Sequence, residues 1–382
     1  MLVIRDTKLL EDFCETLRRR SFFAVDTEFM REKTYWPILC LIQAAADDAE
    51  AIIDPMADGI DLKPFLDLLV DPSITKVFHA ARQDIEIFYR LLGEIPHPVF
   101  DTQIAAMACG FGDQIGYEPL MRSLLGAKID KGSRFTDWSR RPLSDTQLTY
   151  ALSDVTHLRD AYPILSDKLK RDGRDSWISD ELDAMLDPAL YAMDPTEAWR
   201  RLKLRGVRRH ELGPIIKLAE WREREAQERD QPRGRIVKDD VILELARMKP
   251  KSEADLSRAR ALPKGLEKSR IGPGLLKAVT DGIALDQSSL PRIERNENRT
   301  PPPADVVDFL KVLLKRQCET FDVAPRMIAS VSDLEAIALN ADADVPAMKG
   351  WRRDVFGERA QAVLKGTVAM RLVDGKIEFI DV

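Results

Sequence analysis

The run Phe22-Phe-Ala-Val-Asp26-Thr-Glu28 places two carboxylates two residues apart behind an apolar stretch. Side chains at positions i and i+2 of a β-strand share a face, so both carboxylates would point the same way from a strand's end. Two anions this close repel each other unless a cation lies between them. The pair therefore predicts a metal site, although acidic pairs at strand ends also occur without one.

Two further motifs offer carboxylates, and one of them adds a phenol. In Val77-Phe-His79-Ala-Ala-Arg-Gln-Asp84, a strand runs into a helix whose first turn holds Asp84. The helix dipole alone favours a carboxylate there. In Tyr150-Ala-Leu-Ser-Asp154, a spacing of four places the phenol and the carboxylate on one helical face. Taken alone, each motif is better explained structurally, by helix capping or by a packed tyrosine beside a solvated aspartate.

The first 170 residues predict the α/β elements that would position these motifs. Short β-rich runs occur at 22–26, 38–44, 51–54, 76–79 and 99–100, with helical patterns at 62–70, 84–92 and 102–109. The first three strands have short connections and are predicted to form an antiparallel meander, whereas the later strands alternate with helices and are predicted to run parallel. A long helix follows Pro142, with Ser144 as its N-cap.

Beyond Pro188 and Pro195 the pattern predicts helices only. Proline-rich breaks at 187–195 and 290–303 leave segments of about 208–288 and 304–376. The two segments share a weak internal repeat. Each has an amphipathic helix, then a Pro-Arg pair (Pro232-Arg233 or Pro325-Arg326), then another helix and a Lys-Gly turn. Two copies of one small helical module is the simplest interpretation.

Composition limits the chemistry that is available. The 382 residues predict two or three domains, and the 45% of hydrophobic residues allow a well-buried core. The four cysteines lie far apart and there are only four histidines, which argues against a disulfide framework and a structural zinc. Metal chemistry must therefore use carboxylates, which favour Mg²⁺ or Mn²⁺. No apolar run could span a bilayer, and charge at Arg5 comes too early for a secretory signal, so we expect a cytoplasmic protein without membrane contacts.

The net charge of −6 is unevenly distributed along the chain. Residues 1–198 carry 22 basic and 35 acidic side chains, a net charge of −13, whereas residues 199–235 carry 12 and 6, a net charge of +6. Such asymmetry suits a metal site in one part of the chain and phosphate contacts in another. Ordinary surface charge would explain it equally well.

In combination, the three acidic motifs resemble the DEDD exonuclease superfamily, and Tyr150 indicates its tyrosine-bearing branch. The histidine-bearing branch has a histidine five residues before the last aspartate, where this chain has Thr149. The run Phe-Thr-Asp-Trp-Ser-Arg-Arg-Pro-Leu-Ser at 135–144 and two helical modules that resemble HRDC domains extend the likeness over nearly the whole chain. The sequence is thus similar to the ribonuclease D family, although the second module lacks the tryptophan that the first has at Trp221.

The resemblance implies a fold, an activity and a set of site residues. The fold is an α/β RNase H-like exonuclease domain at 1–187 followed by two small all-α HRDC-like domains at 200–288 and 304–376. The activity is the 3′→5′ release of 5′-mononucleotides from RNA with a free 3′ end, with tRNA precursors as the substrate class. Separately from the resemblance, we expect a monomer, an oligomeric state that the sequence does not settle. Asp26, Glu28, Asp84 and Asp154 would hold two divalent ions, Mg²⁺ or Mn²⁺, with Asp26 bridging both. The Tyr150 hydroxyl would orient the attacking water.

Residues that contact the substrate are marked less clearly. The segment 128–141 holds five basic and two acidic residues and could bind the RNA backbone near its terminus. Phe29 could wedge the terminal base and Trp138 could stack on a base, with core packing as the alternative for Trp138. The basic cluster at 200–209 could contact phosphates, although such runs usually form a solvated helix face. The candidates are Phe29, His79, Gln83, Trp138, Arg140 and Arg141.

Two other functions would use the same residues. A 3′→5′ DNA exonuclease has the same kind of site, but the HRDC-like pair and the run at 135–144 favour RNA. An inactive RNA-binding scaffold is disfavoured, because all five expected active-site residues are present.

Overall fold

The computed structural model describes residues 1–129, 136–292 and 300–382. They form two compact units, of which the first contains Met1–Glu28, Cys40–Asp187 and Thr300–Val382. The second contains Phe29–Leu39 together with residues 188–292. Among the described residues, no helix is both long enough and apolar enough to cross a membrane.

A six-stranded sheet with strand order β1-β4-β3-β2-β5-β6 forms the first half of the chain. Its strands are β1 (Leu2–Ile4), β2 (Phe22–Met30), β3 (Ile38–Ala46), β4 (Ala49–Ile53), β5 (Thr75–Phe78) and β6 (Val99–Asp101). β3 and β4 pair antiparallel, whereas β1 with β4, β2 with β5 and β5 with β6 pair parallel. The predicted adjacency of the first three strands is confirmed by the order β4-β3-β2, and the later strands are parallel as predicted. The three-residue strand β1 was not predicted, because it is too short to show a periodicity.

Strand β2 extends further than its sequence pattern predicted. It runs to Met30, so Asp26 and Glu28 lie within the strand rather than at its end. Its parallel neighbour β5 pairs only with Phe22–Ala24 and ends at Phe78. Both carboxylates therefore lie beyond the carboxyl end of β5, which is where open α/β sheets usually bind ligands.

In the described residues of the first half of the chain, seven helices accompany this sheet. They are α1 (Thr7–Leu17), α2 (Lys63–Leu69), α3 (Arg82–Leu92), α4 (Thr102–Ala108), α5 (Tyr117–Leu125), α6 (Asp145–Arg171) and α7 (Ser179–Met185). The long helix α6 begins with a capping box, in which the Ser144 hydroxyl accepts from Gln147 N and the Gln147 side chain accepts from Ser144 N. This confirms Ser144 as the N-cap. Leu148, Ala151 and Val155 recur at helical spacing on the buried face of α6.

The last part of the chain, within the same unit, contains helices and a β-hairpin. The helices are α13 (Ala304–Phe321), α14 (Pro325–Ile328), α15 (Val331–Leu339), α16 (Gly350–Arg352) and α17 (Glu358–Leu364), and the hairpin strands are β7 (Val368–Val373) and β8 (Lys376–Asp381). The prediction of an all-α domain at 304–376 was therefore wrong at its end. The missed signal is Asp374-Gly375 between two β-rich runs, since both residues adopt the positive φ of a tight hairpin turn.

Aromatic and charged contacts hold this last part against the segment that follows α6. The Arg174 guanidinium donates to the carbonyls of Ala108, Phe321 and Asp322. The rings of Trp177 and Trp351 stack with centroids 4.1 Å apart. Buried Arg352 pairs with Asp180 at 2.6 Å and with Glu181 at 3.1 Å. A guanidinium held at several acceptors keeps a fixed orientation, so these contacts fix the attachment.

The second unit is helical around its own apolar core. Its helices are α8 (Arg209–Glu228), α9 (Arg233–Ile236), α10 (Asp239–Met248), α11 (Glu253–Leu256) and α12 (Ile271–Ala284). Leu212, Leu218, Leu245 and Leu275 are fully buried in this core. Helices α8 and α12 approach so closely at Gly213 that a Cβ there would lie 2.3 Å from the carbonyl oxygen of Gly282. A larger residue at this position would separate the two helices.

Candidate active site

Three carboxylates from distant parts of the sequence converge at one point. Asp26 and Glu28 come from β2 and Asp154 from α6, and one oxygen of each lies within 4.8 Å of the others. The strand period places the first two on one face, and the packing of α6 brings the third beside them. Carboxylate oxygens are the ligands that hard divalent cations prefer, so this donor set fits such an ion.

Asp84 lies beside this cluster in the first turn of α3, as predicted. It is 7% exposed and accepts a hydrogen bond of 2.5 Å from the Thr27 hydroxyl. Thr27 lies between the two carboxylates of β2, so its hydroxyl connects the second acidic motif to the first. The contact with Thr27 gives Asp84 a partner outside α3, which capping of that helix alone would not require.

Asp101 shapes the turn that leads into α3. Its carboxylate accepts from Ala80 N at 3.2 Å and Ala81 N at 2.8 Å, and it also caps α4. Ala80 has φ +58°, a conformation that costs energy for a residue with a Cβ. These hydrogen bonds offset that cost and hold the turn that presents Asp84.

A cavity of about 150 Å³ opens at the cluster. It is lined by Asp26, His79, Tyr117, Tyr150, Asp154 and Leu158. The Tyr117 hydroxyl donates to the backbone carbonyls of Asp154 and of Ser153, the latter at 3.1 Å. This second phenol fixes the stretch of α6 that carries both predicted site residues.

Burial and mutual repulsion change the acidity of the four carboxyl groups. Burial, and then the neighbouring Asp154, raise the pKa of Asp26 to about 8. Burial also raises the pKa of Glu28 to about 9, with Asp26, Asp154 and Asp84 adding to the effect. The pKa of Asp154 is raised to about 7 by burial, and that of Asp84 is raised well above its usual range by burial and Asp26. Four such groups can all be ionised at neutral pH only if cations neutralise them.

The other predicted substrate-binding residues have varied surroundings. His79 lies at the cavity with Nδ1 3.0 Å from the Thr102 hydroxyl, and Gln83 is exposed in the first turn of α3. Phe29 is half-buried and belongs to the second unit. Arg140 is exposed beside Asp137 at 3.1 Å.

Trp138 and Arg141 have partners within the protein. Trp138 is 3% exposed and stacks on Tyr150 with centroids 6.3 Å apart, which favours core packing, the alternative considered from the sequence. Arg141 forms a bidentate pair with buried Asp54 at 2.7 and 2.9 Å and donates to the Cys40 carbonyl at 2.7 Å. Residues 130–135 of the predicted basic segment lie outside the described residues.

Sequence reasoning missed Tyr117 and Thr27 as members of the site. Tyr117 follows a glycine-rich loop at the start of α5, and nothing in its local pattern marks it. Thr27 did carry a signal, since it stands between the two carboxylates. Its contact with Asp84, however, depends on the packing of α3 against the sheet.

Two family models match the chain. Residues 1–170 match a 3′-5′ exonuclease family and residues 215–279 match the HRDC domain. The first match contains all four clustered carboxylates and Tyr150. The second covers most of α8 to α12.

Relatives with known names match over almost the full length. Ribonuclease D of Bartonella henselae is 47% identical over 378 residues, which is 99% of this chain and 93% of that protein. Ribonuclease D of Granulibacter bethesdensis is 47% identical and covers 98% of this chain and 95% of its own. The crystal structure of Escherichia coli RNase D, an exoribonuclease involved in structured RNA processing, superposes with a TM-score of 0.81 at 30% identity, covering 95% of this chain and 98% of that one. The chain therefore belongs to the ribonuclease D family of 3′→5′ exoribonucleases.

Proposed function

We propose that Asp26, Glu28, Asp84 and Asp154 hold two divalent ions, Mg²⁺ or Mn²⁺, with which this exoribonuclease removes 5′-mononucleotides from RNA 3′ ends. The observation that carries this assignment is the meeting of three carboxylates within 4.8 Å, two of which, Asp26 and Asp154, line a small cavity with Tyr150. When bound, the ions supply Lewis-acid stabilisation of the charge that develops at the phosphate. The protein contributes a rigid set of oxygen ligands on one strand and two helices.

Tyr150 is proposed to orient the water that attacks the scissile phosphate. Its ring is held by the stacked indole of Trp138, and the phenol lies at the cavity one helical turn before Asp154. A phenol is protonated at neutral pH, so its hydroxyl can both donate to and accept from a water molecule. Trp138 and Arg141 are proposed to support this arrangement from within the protein. Phe29, His79, Gln83 and Arg140 remain the proposed contacts with the terminal nucleotides.

The helical parts are proposed to be two HRDC-like modules, one at 200–288 and one that begins at 304 and ends before the hairpin of β7 and β8, which bind the body of the RNA. Supporting this, both have the same element order: a long helix (α8, α13), a short helix beginning at a Pro-Arg pair (α9, α14) and a further helix (α10, α15). The substrates are proposed to be tRNA precursors, consistent with the structured-RNA role of the E. coli relative. A monomer in the cytoplasm is proposed as the acting form.

A comparison of matched RNA and DNA oligonucleotides, each labelled at its 3′ end, tests the proposed function. The expected result is release of the labelled terminal nucleotide as a 5′-mononucleotide from RNA, only in the presence of Mg²⁺ or Mn²⁺. Faster hydrolysis of the DNA would assign the protein to DNA instead. Binding of RNA without hydrolysis at any metal concentration would leave only the scaffold function.

The stability of the metal-free protein is expected to fall as the pH rises from about 5 to 9. The folded-state pKa values of Asp26, Glu28 and Asp154 are about 8, 9 and 7, against ordinary values of 3.8 and 4.5. Between these limits the folded state binds more protons than the unfolded state, so the free energy of unfolding decreases with pH by up to about 1.4 kcal/mol per unit for each group. Thermal unfolding in EDTA across this range measures the slope.

Divalent metal should remove most of this pH dependence, since binding requires ionised carboxylates. The rise in Tm on adding Mn²⁺ should therefore be larger at pH 8 than at pH 6. A Tm in EDTA that rises between pH 6 and pH 8 would contradict the buried, mutually repelling cluster.

The basic cluster at 200–209 is expected to contribute to substrate affinity but not to the chemical step. Lys203 and Arg205 are exposed there. Replacing both with glutamine should raise KM for a structured tRNA precursor and leave kcat on a short RNA unchanged. Losing two phosphate contacts should reduce the slope of log KM against log salt by about 1.4 to 1.8. The control replaces Lys8 and Lys63, which are exposed on α1 and α2 outside both helical modules, with glutamine and so makes the same change in charge. Equal effects of both pairs would indicate a general charge effect.

A further inference from the structure

The segment Phe29–Leu39 contains the last two residues of β2, the connection to β3 and the first two residues of β3, and it belongs to the second unit. It begins at the residue after Glu28, one of the candidate metal ligands. The segment is therefore a covalent continuation of the site strand that is anchored among the helices of the other unit.

The backbone of this segment is held by one carboxylate. Asp230 accepts from Tyr35 N at 3.0 Å and from Trp36 N at 2.9 Å with the same oxygen. Asp230 itself has φ +48°, just after the end of α8. Aspartate and asparagine tolerate this conformation better than most residues, so the turn and its acceptor suit each other.

The side chain of Tyr35 is held more tightly still. It is 4% exposed, and its hydroxyl donates to Glu223 and accepts from Arg233 at 2.9 Å and Gln227 at 3.2 Å. Glu223 is completely buried and also pairs with Arg201 at 2.9 Å. Although burial alone raises the pKa of the Glu223 carboxyl, hydrogen bonds from Arg233 and Tyr35 bring it below its ordinary value. This network around a buried charge fixes the phenol in one position.

Only four residues, 31–34, separate the end of β2 at Met30 from this anchor. The five Cα–Cα steps from Met30 to Tyr35 span at most about 18 Å, so the anchor restricts where the end of β2 can lie. Glu28 is two residues before that end. Small displacements of a catalytic ligand have large kinetic effects, since a shift of about 1 Å can reduce a rate about 10²-fold.

We propose that Tyr35 and Asp230 are positioning residues for the nuclease reaction, which hold the segment that leaves β2 and thereby fix Glu28. This inference rests on the proposed roles of the four carboxylates. It adds a role to the proposed binding of RNA, because the helices around Asp230 hold the chain that continues from Glu28.

The test compares Asp230→Ala with Asp230→Asn in the full-length protein. Asparagine keeps an acceptor oxygen and tolerates positive φ, whereas alanine removes the acceptor. On an RNA of about five nucleotides at saturating concentration, Asp230→Ala should lower kcat about tenfold and raise the Mn²⁺ concentration needed for half-maximal rate, while Asp230→Asn should stay near wild type. The loss in kcat should be the same on a long structured RNA, because it affects the chemical step rather than RNA affinity.

Tyr35→Phe provides the same test if Asp230→Ala does not fold, since it removes only the hydroxyl. Glu220→Gln on α8 is a control for Tyr35→Phe and should behave as wild type, because Glu220 is ion-paired only with Lys217 and Arg224 of its own helix among the described contacts. A folded Asp230→Ala with wild-type kcat and metal dependence, or equal losses in Asp230→Ala and Asp230→Asn, would overturn the positioning role. Wild-type protein in the same assay tests the proposed function separately, because that function fails only if the wild type does not hydrolyse RNA.

Discussion

Replacing Asp26 or Asp154 with asparagine is expected to reduce RNA hydrolysis to background, a loss of more than about 10²-fold. Each substitution exchanges one charged oxygen ligand for a neutral amide of the same size, so the shape of the cavity is kept. RNA affinity should change little, because most phosphate contacts are expected elsewhere. Release of 5′-mononucleotide from a 3′-labelled RNA at saturating Mg²⁺ measures the activity, and filter binding measures the affinity.

The same substitutions should stabilise the protein in EDTA. Burial and the neighbouring carboxylate raise the pKa of Asp26 to about 8, so a neutral asparagine removes an unfavourable charge at higher pH. We expect a higher Tm than wild type at pH 8 without metal and a smaller rise in Tm when Mn²⁺ is added. Loss of activity combined with gain of stability cannot arise from misfolding. Asp160→Asn, six residues along α6 at an exposed position, is the control and should behave as wild type.

Tyr150→Phe is expected to lower kcat by about 10²-fold with little change in KM. Phenylalanine keeps the ring that stacks on Trp138 and removes only the hydroxyl at the cavity. Positioned proton donors and acceptors of this kind typically contribute 10²–10⁴-fold, a range set by how well the water is oriented. The measurement is kcat on a single-stranded RNA at saturating metal.

Tyr162→Phe is the matched control on the same helix. The ring of Tyr162 packs against Phe22 and Phe100, with centroids 4.5 and 4.8 Å away. It is not among the residues that line the cavity, so its hydroxyl should be dispensable. If Tyr150→Phe remains within about twofold of wild type, the phenol has a structural role and the water must be oriented by another group.

The local spacings in the sequence were sufficient to indicate the candidate site residues. D-x-E on a strand and Y-x-x-x-D on a helix place their side chains on common faces through the periods of β and α structure alone. The start of α6 at Ser144 could also be predicted, because an N-cap depends on local sequence. The strands near the site could be predicted from their local β pattern. Asp374-Gly375 was equally readable as a hairpin turn, and its omission was an error of interpretation rather than a limit of the sequence.

Contacts between residues far apart in the chain were decided by tertiary structure. The approach of Asp154 to Asp26, the hydrogen bond from Thr27 to Asp84 and the support of α6 by Tyr117 all join separate elements. The surroundings of Trp138 were also decided by tertiary structure. Its sequence context allowed the indole either to stack on a base or to pack in the core, and the structure buries it against Tyr150.

The anchoring of the segment after Glu28 is the clearest case. Tyr35 and Glu223 are 188 residues apart, and no local period relates them. Residue types and spacing therefore determined which groups could react and which family the chain resembles, since these depend on short-range periodicity. Which groups meet, and what holds them there, was decided by packing, because burial and hydrogen bonding across the chain depend on the whole fold.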